Sequence, residues 1–232
     1  MTCDIHQIRF EKALKKKQLQ SFRGGIIKTM GEQAHTLMHN HIEDGLRFGY
    51  PLVQYKVIEG KAAIIAIGDI GRQIVQFFKD MESAAATHPS LISKYRIESY
   101  EQLEYTPEVD DEPHYYKICD YLPLTDDNVA EFDSLMALTD KICLIENIIT
   151  GNILSFFKGI GFFTNQHITS VVTSLDQLST IRYKGVGFRA FNLHYVTNAI
   201  LPSWIGLGKS TSIGMGTLSM CPNPERYLLK FN

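Results

Sequence analysis

At 232 residues, with 44% hydrophobic and 21% charged residues, the chain is ordinary globular material, which excludes a disordered or low-complexity protein. The length fits one large domain or two small ones. Four widely separated cysteines exclude a disulfide scaffold and a paired-cysteine zinc motif, so we expect reduced thiols. A charged N-terminus and the lack of any membrane-length apolar stretch predict a cytoplasmic protein with no membrane partner.

The charge is distributed unevenly along the chain. The formal net charge of -2 argues against a nucleic-acid partner, because such domains are commonly basic. However, residues 1–80 carry 12 basic and 8 acidic side chains, residues 81–135 carry 3 and 13, and residues 136–232 carry 8 and 4. Two mildly basic segments therefore flank an acidic one, and a local basic surface can still attract phosphates.

The first half of the chain predicts strands and helices in the order of a β-α-β-β-α-β unit. IHQIRF alternates as a strand does, and the next segments, EKALKKKQLQ and SFRGGIIKTMGEQAHTLM, have mostly helical patterns. LVQYKVI and AAIIAIG form a hairpin through Glu59-Gly60-Lys61, and a helix begins at Asp69. KYRIESYEQLEY and HYYKICDYLPL predict two further strands, separated by an acidic, proline-bounded turn, PEVDDEP.

The second half begins with helical patterns and returns to strand patterns, without an internal sequence repeat. Helical patterns occur in DDNVAEFDSLMAL and KICLIENIITGNILSFFKGI, and strand patterns return in ITSVVTSL, TIRYKGVGFRAFNLHYV and GTLSM. We therefore predict an α+β protein of two tandem ferredoxin-like (RRM-like) units with antiparallel sheets. Residues 1–123 would form the N-terminal domain with a histidine segment, and residues 124–232 the C-terminal domain with a glycine-rich loop.

The glycine-rich loop reads IGLGKSTSIGMGTL over residues 205–218. Glycines let a backbone approach a ligand closely and expose N–H groups to phosphate oxygens. A Walker A reading fails, since the first glycine of that motif would fall at Ser203. The alternative of a flexible surface hairpin without a ligand stays open. The residues that we predict to bind a phosphate backbone are Gly206, Gly208, Lys209, Ser210, Gly214 and Gly216.

With this loop near its C-terminus, the sequence resembles the CRISPR-associated repeat-RNA-processing endoribonucleases of the RAMP superfamily. FRGGI at 22–26, the stretch from MHNHIEDGLRFGY at 38–50 to residue 67, and NILSFFKGIGF at 152–162 resemble the branch with an HNH-type histidine segment. The resemblance implies two ferredoxin-like units whose sheets face a shared cleft. It also implies cleavage of CRISPR precursor RNA within its repeats.

Three histidines, His35, His39 and His41, lie close together in the sequence. Cleaving RNA without a metal requires a base for the 2′-hydroxyl and an acid for the leaving 5′-oxygen, and histidine suits either role. His35 and His39 share a face only in a helix, whereas His39 and His41 share a side only in a strand. Because Asn40 and Gly45 break the helical pattern, we expect the helix to end between Leu37 and Asn40.

By the resemblance, the HNH pair supplies the catalytic imidazole, and we rank His41 first and His39 second. Tyr50 and Tyr55 are candidates to position or assist a proton, and Lys56 or Arg23 to stabilise the phosphorane. Two alternatives stay open. A histidine beside a helix end can be a plain cap or surface residue, and His35, His39 and His41 could bind zinc with Glu43 or Asp44, although their spacing matches no familiar zinc helix.

Basic and aromatic residues interleave between residues 182 and 195, where they could offer phosphate contacts and stacking surfaces. An ordinary amphipathic strand pair would show the same pattern. On this argument Arg182, Lys184 and Arg189 are predicted RNA contacts.

The function predicted from the sequence is metal-independent cleavage of the CRISPR repeat by the adjacent 2′-hydroxyl, giving a 2′,3′-cyclic phosphate and a 5′-hydroxyl without any cofactor. Its partner is CRISPR repeat RNA, and the family resemblance extends this to a CRISPR effector complex and to a homodimer. The rival hypotheses are a non-cleaving subunit that binds the repeat RNA, a zinc-dependent nuclease, and an unrelated scaffold protein.

Overall fold

The computed structural model describes residues 1–31, 41–42, 45–46, 49–84, 95–183 and 186–221, with the backbone alone described at 41–42, 45–46, 84, 176–179, 181–183 and 186. The chain divides into two compact units. The first contains Met1–Thr106 together with Ser212–Gly214, and the second contains Pro107–Thr211 together with the residues from Met215 onward. A short stretch of the glycine-rich loop thus belongs to the first unit.

The first unit contains a four-stranded antiparallel sheet in the order β4-β5-β1-β6. This is the strand order of a ferredoxin-like unit. A small hairpin, β2-β3, is inserted between the first helix and β4. The elements are β1 (Cys3–Ala13), a 3-10 turn (Lys16–Gln18), α1 (Leu19–Met30), β2 (His41–Ile42), β3 (Gly45–Leu46), β4 (Val53–Ile58), β5 (Lys61–Ile67), α2 (Asp69–Ala84) and β6 (Ile97–Tyr105).

Apolar side chains at helical spacing explain why both helices pack on this sheet. In α1 the buried residues recur every three or four positions, and α2 buries a similar stripe against the same face. Phe10 of β1 lies between them, with its ring edge-on to rings of both helices. The buried stripes consist of Leu19, Phe22, Ile26 and Met30 in α1, and Ile74, Val75 and Phe78 in α2.

The second unit contains a four-stranded antiparallel sheet in the order β10-β7-β9-β8. Its helix α4 has 22 residues, yet none of the helices in the described ranges has the length and apolarity needed to span a membrane. The elements are β7 (Glu108–Tyr121), α3 (Val129–Ser134), α4 (Leu138–Gly159), β8 (Ser170–Tyr183), β9 (Val186–Ile200), a 3-10 turn (Thr211–Ile213) and β10 (Thr217–Met220).

Both units therefore have ferredoxin-like strand order, and the predicted α+β fold is confirmed. The second unit departs from the full pattern in one respect. Between β9 and β10, where a second helix would stand, the chain has the glycine-rich segment with a single 3-10 turn.

The strand containing HYYKICDY belongs to a different sheet from the one that the sequence indicated. We expected it to complete the first unit, but β7 pairs with β9 and β10 in the second sheet, and the division between units lies at Thr106–Pro107 instead of after residue 123. PEVDDEP is not the expected turn between strands. Its residues from Glu108 to Pro113 lie within β7 and form a bulge, because the pairing of β7 with β9 shifts register between Val109 and His114.

Candidate functional site

The histidine segment is described only at its C-terminal end. His41 lies in β2, which pairs with β3 so that His41 stands opposite Leu46. Its backbone is therefore extended, and the helix end expected between Leu37 and Asn40 lies outside the described residues. The His41 side chain and the whole of His35 and His39 lie outside the described residues. The catalytic roles of His39 and His41 stay predictions.

Both candidate tyrosines are buried in the first unit. Tyr50 is 8% exposed, and its hydroxyl accepts a hydrogen bond from Nε2 of Gln54 at 2.8 Å. Tyr55 is 1% exposed, packs within the core of the unit, and burial raises the pKa of its phenol, which therefore stays protonated. The Arg23 guanidinium lies 6.0 Å from the centre of the Tyr55 ring. Arg23 and Tyr55 are thus brought together, as a cation over an aromatic face.

Lys56 is also buried, with 1% exposure, on strand β4 next to Tyr55. Burial, followed by repulsion from Lys16, lowers the pKa of Lys56 to about 7. An amine with that pKa is only partly protonated at neutral pH, and its burial keeps it from contacting a ligand directly. Gln54, which sequence reasoning missed, is the other buried polar residue of this strand. Its signal was a polar residue between the apolar Val53 and the aromatic Tyr55.

The glycine-rich loop is anchored by backbone hydrogen bonds within the second unit. Leu207 N–H donates to Gly216 O at 2.9 Å, and Gly216 N–H donates to Asp120 O at 3.0 Å. Lys209 N–H donates to Leu122 O at 3.1 Å. None of the residues from 201 to 216 is fully exposed. A flexible surface hairpin is therefore not what the sequence forms.

Three of the loop glycines have a positive φ and lie against neighbouring atoms. A Cβ on Gly208 (φ +87°) would lie 2.7 Å from the Tyr121 ring, and one on Gly216 (φ +59°) would lie 1.8 Å from Leu207 O. A Cβ on Gly214 (φ +91°) would lie 2.5 Å from the Leu19 side chain within the first unit. These contacts give the glycines a packing role, which the sequence could not distinguish from a phosphate-binding one.

The structure brings a cation and an aromatic ring together beside the loop. The Lys209 Nζ atom lies 4.7 Å from the centre of the Phe188 ring on β9. Ser210, the next residue, has a positive φ of 61° without being glycine. A partly buried lysine whose ammonium lies over a ring, next to a strained serine, can contact both a phosphate and a base.

The other predicted RNA contacts are placed differently. Arg189 forms an ion pair with Asp133, and its guanidinium lies 5.8 Å from the centre of the Phe132 ring. Its charge is therefore partly balanced within the unit. Lys184 and the side chain of Arg182 lie outside the described residues.

Metal ligands do not cluster in the part of the chain that is described. Among those residues, no group of three or more His, Cys, Asp or Glu side chains could hold a metal ion. The zinc alternative concerned His35, His39, His41, Glu43 and Asp44, whose side chains all lie outside that part. It stays open.

Comparison with known proteins covers both units. Residues 1–99 match the Cas6b N-terminal domain family, and residues 108–221 match the Cas6b C-terminal domain family. An uncharacterized protein of Methanocaldococcus jannaschii is 27% identical over 104 residues, which is 45% of this chain and 69% of that protein.

Two solved structures share the fold. A crystal structure of Cas6b is 20% identical with a TM-score of 0.78, covering 95% of this chain and 100% of that one. A second, described as the CRISPR RNA processing endoribonuclease Cas6b, is 18% identical with a TM-score of 0.71 and the same coverage. Since the two domain matches span most of the sequence, one in each unit, the chain belongs to the Cas6b family.

Proposed function

We propose that this protein is an endoribonuclease that cleaves CRISPR precursor RNA within its repeats. The observation that carries the proposal is the match of both halves of the chain to the two domains of Cas6b. A similar structure is described as a CRISPR RNA processing endoribonuclease. RNA is accordingly the proposed ligand. A CRISPR effector complex and a second copy of this chain are further proposed partners of the protein.

In the proposed mechanism, the 2′-hydroxyl beside the scissile phosphate gives its proton to a histidine base. The 2′-oxygen forms a bond to phosphorus in line with the departing 5′-oxygen, whose bond to phosphorus breaks. A second acid protonates that oxygen, so the products are a 2′,3′-cyclic phosphate and a 5′-hydroxyl. His41 and His39 are the proposed proton-transfer pair. No metal is required by this chemistry.

The positions of the remaining candidate residues support different roles for them. Lys209 lies beside Phe188 at the glycine-rich loop, where a phosphate and a stacked base could be held together. Lys56 and Tyr55 are both buried, which argues for supporting roles behind the reacting groups. Tyr50, Arg23 and Arg189 stay proposed contacts, and the roles of Arg182 and Lys184 are carried over from the sequence alone.

Cleavage in EDTA tests the chemistry. Wild type, His39→Ala, His41→Ala and the double variant would be compared on the cognate repeat RNA and on RNA with a deoxy substitution at the scissile position. We expect wild type to cut in EDTA, the deoxy substrate to resist, and the double variant to lose activity by about 100-fold or more. His167→Ala, an exposed histidine between α4 and β8, is the matched control and should cut normally.

The rival functions give different results in the same assay. A non-cleaving subunit would bind the repeat equally well with both histidines replaced and give no product in any variant. A zinc nuclease would stop cutting in EDTA, and a scaffold protein would not prefer RNA to other polyanions.

Lys209→Ala should weaken repeat binding. It should also reduce the slope of log affinity against log salt concentration by about one, which corresponds to one lost phosphate contact. Lys158→Ala, which changes an exposed lysine of α4, should do neither.

A further inference from the structure

The four edge strands of the two sheets differ in how their outer backbone groups are covered. Along β4, side chains from Val53 to Lys56 are at most 8% exposed. On β10, Leu218 exchanges backbone hydrogen bonds with Trp204 and Ile205 on its outer side. On β8, Val172 N–H donates to the Glu146 carboxylate at 2.8 Å. Such coverage is how proteins keep edge strands from pairing with other chains.

Between Tyr100 and Glu104, strand β6 shows no such contact with any of the described residues. Residues 101 to 104 are all exposed, and Leu103 is 57% exposed although it is apolar. At the start of β6, Ile97 N–H donates to the Glu82 carboxylate at 3.3 Å, so that end of the outer side is covered.

The ladder geometry determines which backbone groups of β6 face outward. Gly68 N–H donates to Asp4 O, so the backbone groups of Asp4 point toward β5. Because these directions alternate along a strand, those of Ile5 point toward β6, where Leu103 is its partner. The N–H and C=O groups of Gln102 and Glu104 consequently face away from the sheet. A further strand could pair with them.

The side chains on this edge are acidic. Glu101 and Glu104 form no ion pair among the described residues, whereas Glu98 on the same strand is paired with Arg9 and Lys61. Glu104 also lines a polar recess of about 420 Å³ at the end of the strand. Three carboxylates and one guanidinium line that recess, which is therefore net acidic, and its residues are Thr2, Cys3, Asp4, Gly68, Asp69, Arg72 and Glu104.

We propose that the outer edge of β6 receives an extended segment of a partner protein that carries lysine or arginine on both faces, because Glu101 and Glu104 lie on opposite faces of the sheet, and that one of these side chains enters the acidic recess. In β-strand addition, backbone hydrogen bonds provide affinity and pockets for alternate side chains provide specificity. Both parts are present here. RNA does not fit, because Glu101 and Glu104 would repel its phosphates, and a second copy pairing through β6 would bring these glutamates together. The inference does not depend on the proposed nuclease function.

A direct test uses a labelled seven-residue peptide of lysine and valine, with lysine on both faces of the extended chain, and the full-length protein. We expect binding by fluorescence anisotropy and slower amide exchange in residues 97–105. Glu101→Lys with Glu104→Lys should weaken binding by about tenfold or more. The matched control reverses two exposed acidic residues of the second unit, Asp127→Lys with Glu131→Lys, and should bind the peptide as wild type does.

Changes in the peptide test the backbone contacts without altering the protein. Methylation of the backbone nitrogens along one edge of the peptide should abolish binding, since those N–H groups can no longer pair. The proposal is overturned if the peptide does not bind, if both double variants weaken it equally, or if exchange slows elsewhere. It is also overturned if oligouridylate, or raised protein concentration alone, protects residues 97–105 in place of the peptide.

Discussion

His6 and Gly71 show how closely β1 and α2 approach each other. His6 is fully buried, its Nδ1 lies 2.9 Å from the Tyr100 hydroxyl, and the two rings are stacked. A Cβ on Gly71 would lie 2.0 Å from the imidazole. The glycine is therefore required because a histidine occupies the space beside the helix.

Gly71→Ala should lower the free energy of unfolding by about 1–3 kcal/mol, since the added methyl group overlaps the His6 ring. In the His6→Ala background the same change should cost much less, and urea denaturation of the four chains measures this coupling. Gly151→Ala is the control, because its Cβ would meet nothing within 4 Å and alanine favours the helix. Equal costs of Gly71→Ala in both backgrounds would contradict the contact.

Lys56 makes stability depend on pH in an unusual range. The folded-state pKa is lowered to about 7 from 10.5, so between these values the unfolded chain holds a proton that the folded chain lacks. The free energy of unfolding should then rise as pH increases from about 7 to 9, by up to about 1.4 kcal/mol per pH unit. Urea denaturation at several pH values measures the slope.

Lys56→Met should remove that slope, whereas Lys17→Met, which changes an exposed lysine in the 3-10 turn, should keep it. A slope that persists in Lys56→Met would show that another group is responsible.

At the scale of elements, sequence patterns predicted the features that depend on neighbouring residues alone, such as hairpin turns. The β4-β5 hairpin is present, and its turn residues Glu59 and Gly60 both have a positive φ, as a tight two-residue turn requires. The assignment of β7 failed because pairing partners far apart in sequence are chosen by the whole fold. Its turn-like acidic residues are accommodated as a bulge, in which the Asp110 carboxylate accepts hydrogen bonds from Glu112 N–H and His114 Nε2.

In the candidate site, too, local features could be predicted from the sequence, whereas contacts between distant elements could not. Composition and spacing identified the glycine-rich loop, but not that its glycines pack against Tyr121, Leu207 and Leu19, since these contacts come from other elements. Burial of Lys56 was equally hidden, because a lone lysine in a strand usually faces solvent.

Gly216→Ala should destabilise the protein more than Gly60→Ala does. Both positions have a left-handed φ, which costs alanine about 1–2 kcal/mol, but only the Cβ at Gly216 would also overlap a backbone atom, the Leu207 carbonyl oxygen. The extra cost should be about 1–3 kcal/mol, measured by urea denaturation. If both variants lowered the free energy of unfolding by similar amounts, the backbone around Gly216 would have to relax around the added methyl group at little cost.

At the scale of the whole molecule, residues 212–214 of the glycine-rich loop, the loop tip, belong to the first unit, and this assignment can be tested directly. Ile213 is 6% exposed and belongs with Ser212 and Gly214 to that unit. Ile213→Ala should cost about 2–5 kcal/mol and accelerate amide hydrogen exchange mainly in β4 and β5.

Leu193→Ala, in the core of the second unit, is the matched variant and should accelerate exchange mainly in β7 and β9. If both variants accelerated the two sheets equally, the assignment of the loop tip would be wrong.

Return of the chain to the first unit at Ser212–Gly214 also bears on how the protein folds as it is made. A nascent N-terminal domain usually folds before the next one emerges, at about 5–20 residues per second of synthesis. Here the first unit lacks three of its residues until about 100 more have been added, a delay on the order of 5–20 s. During that interval the ribosome holds a first unit whose Ser212–Gly214 piece has not yet been synthesised.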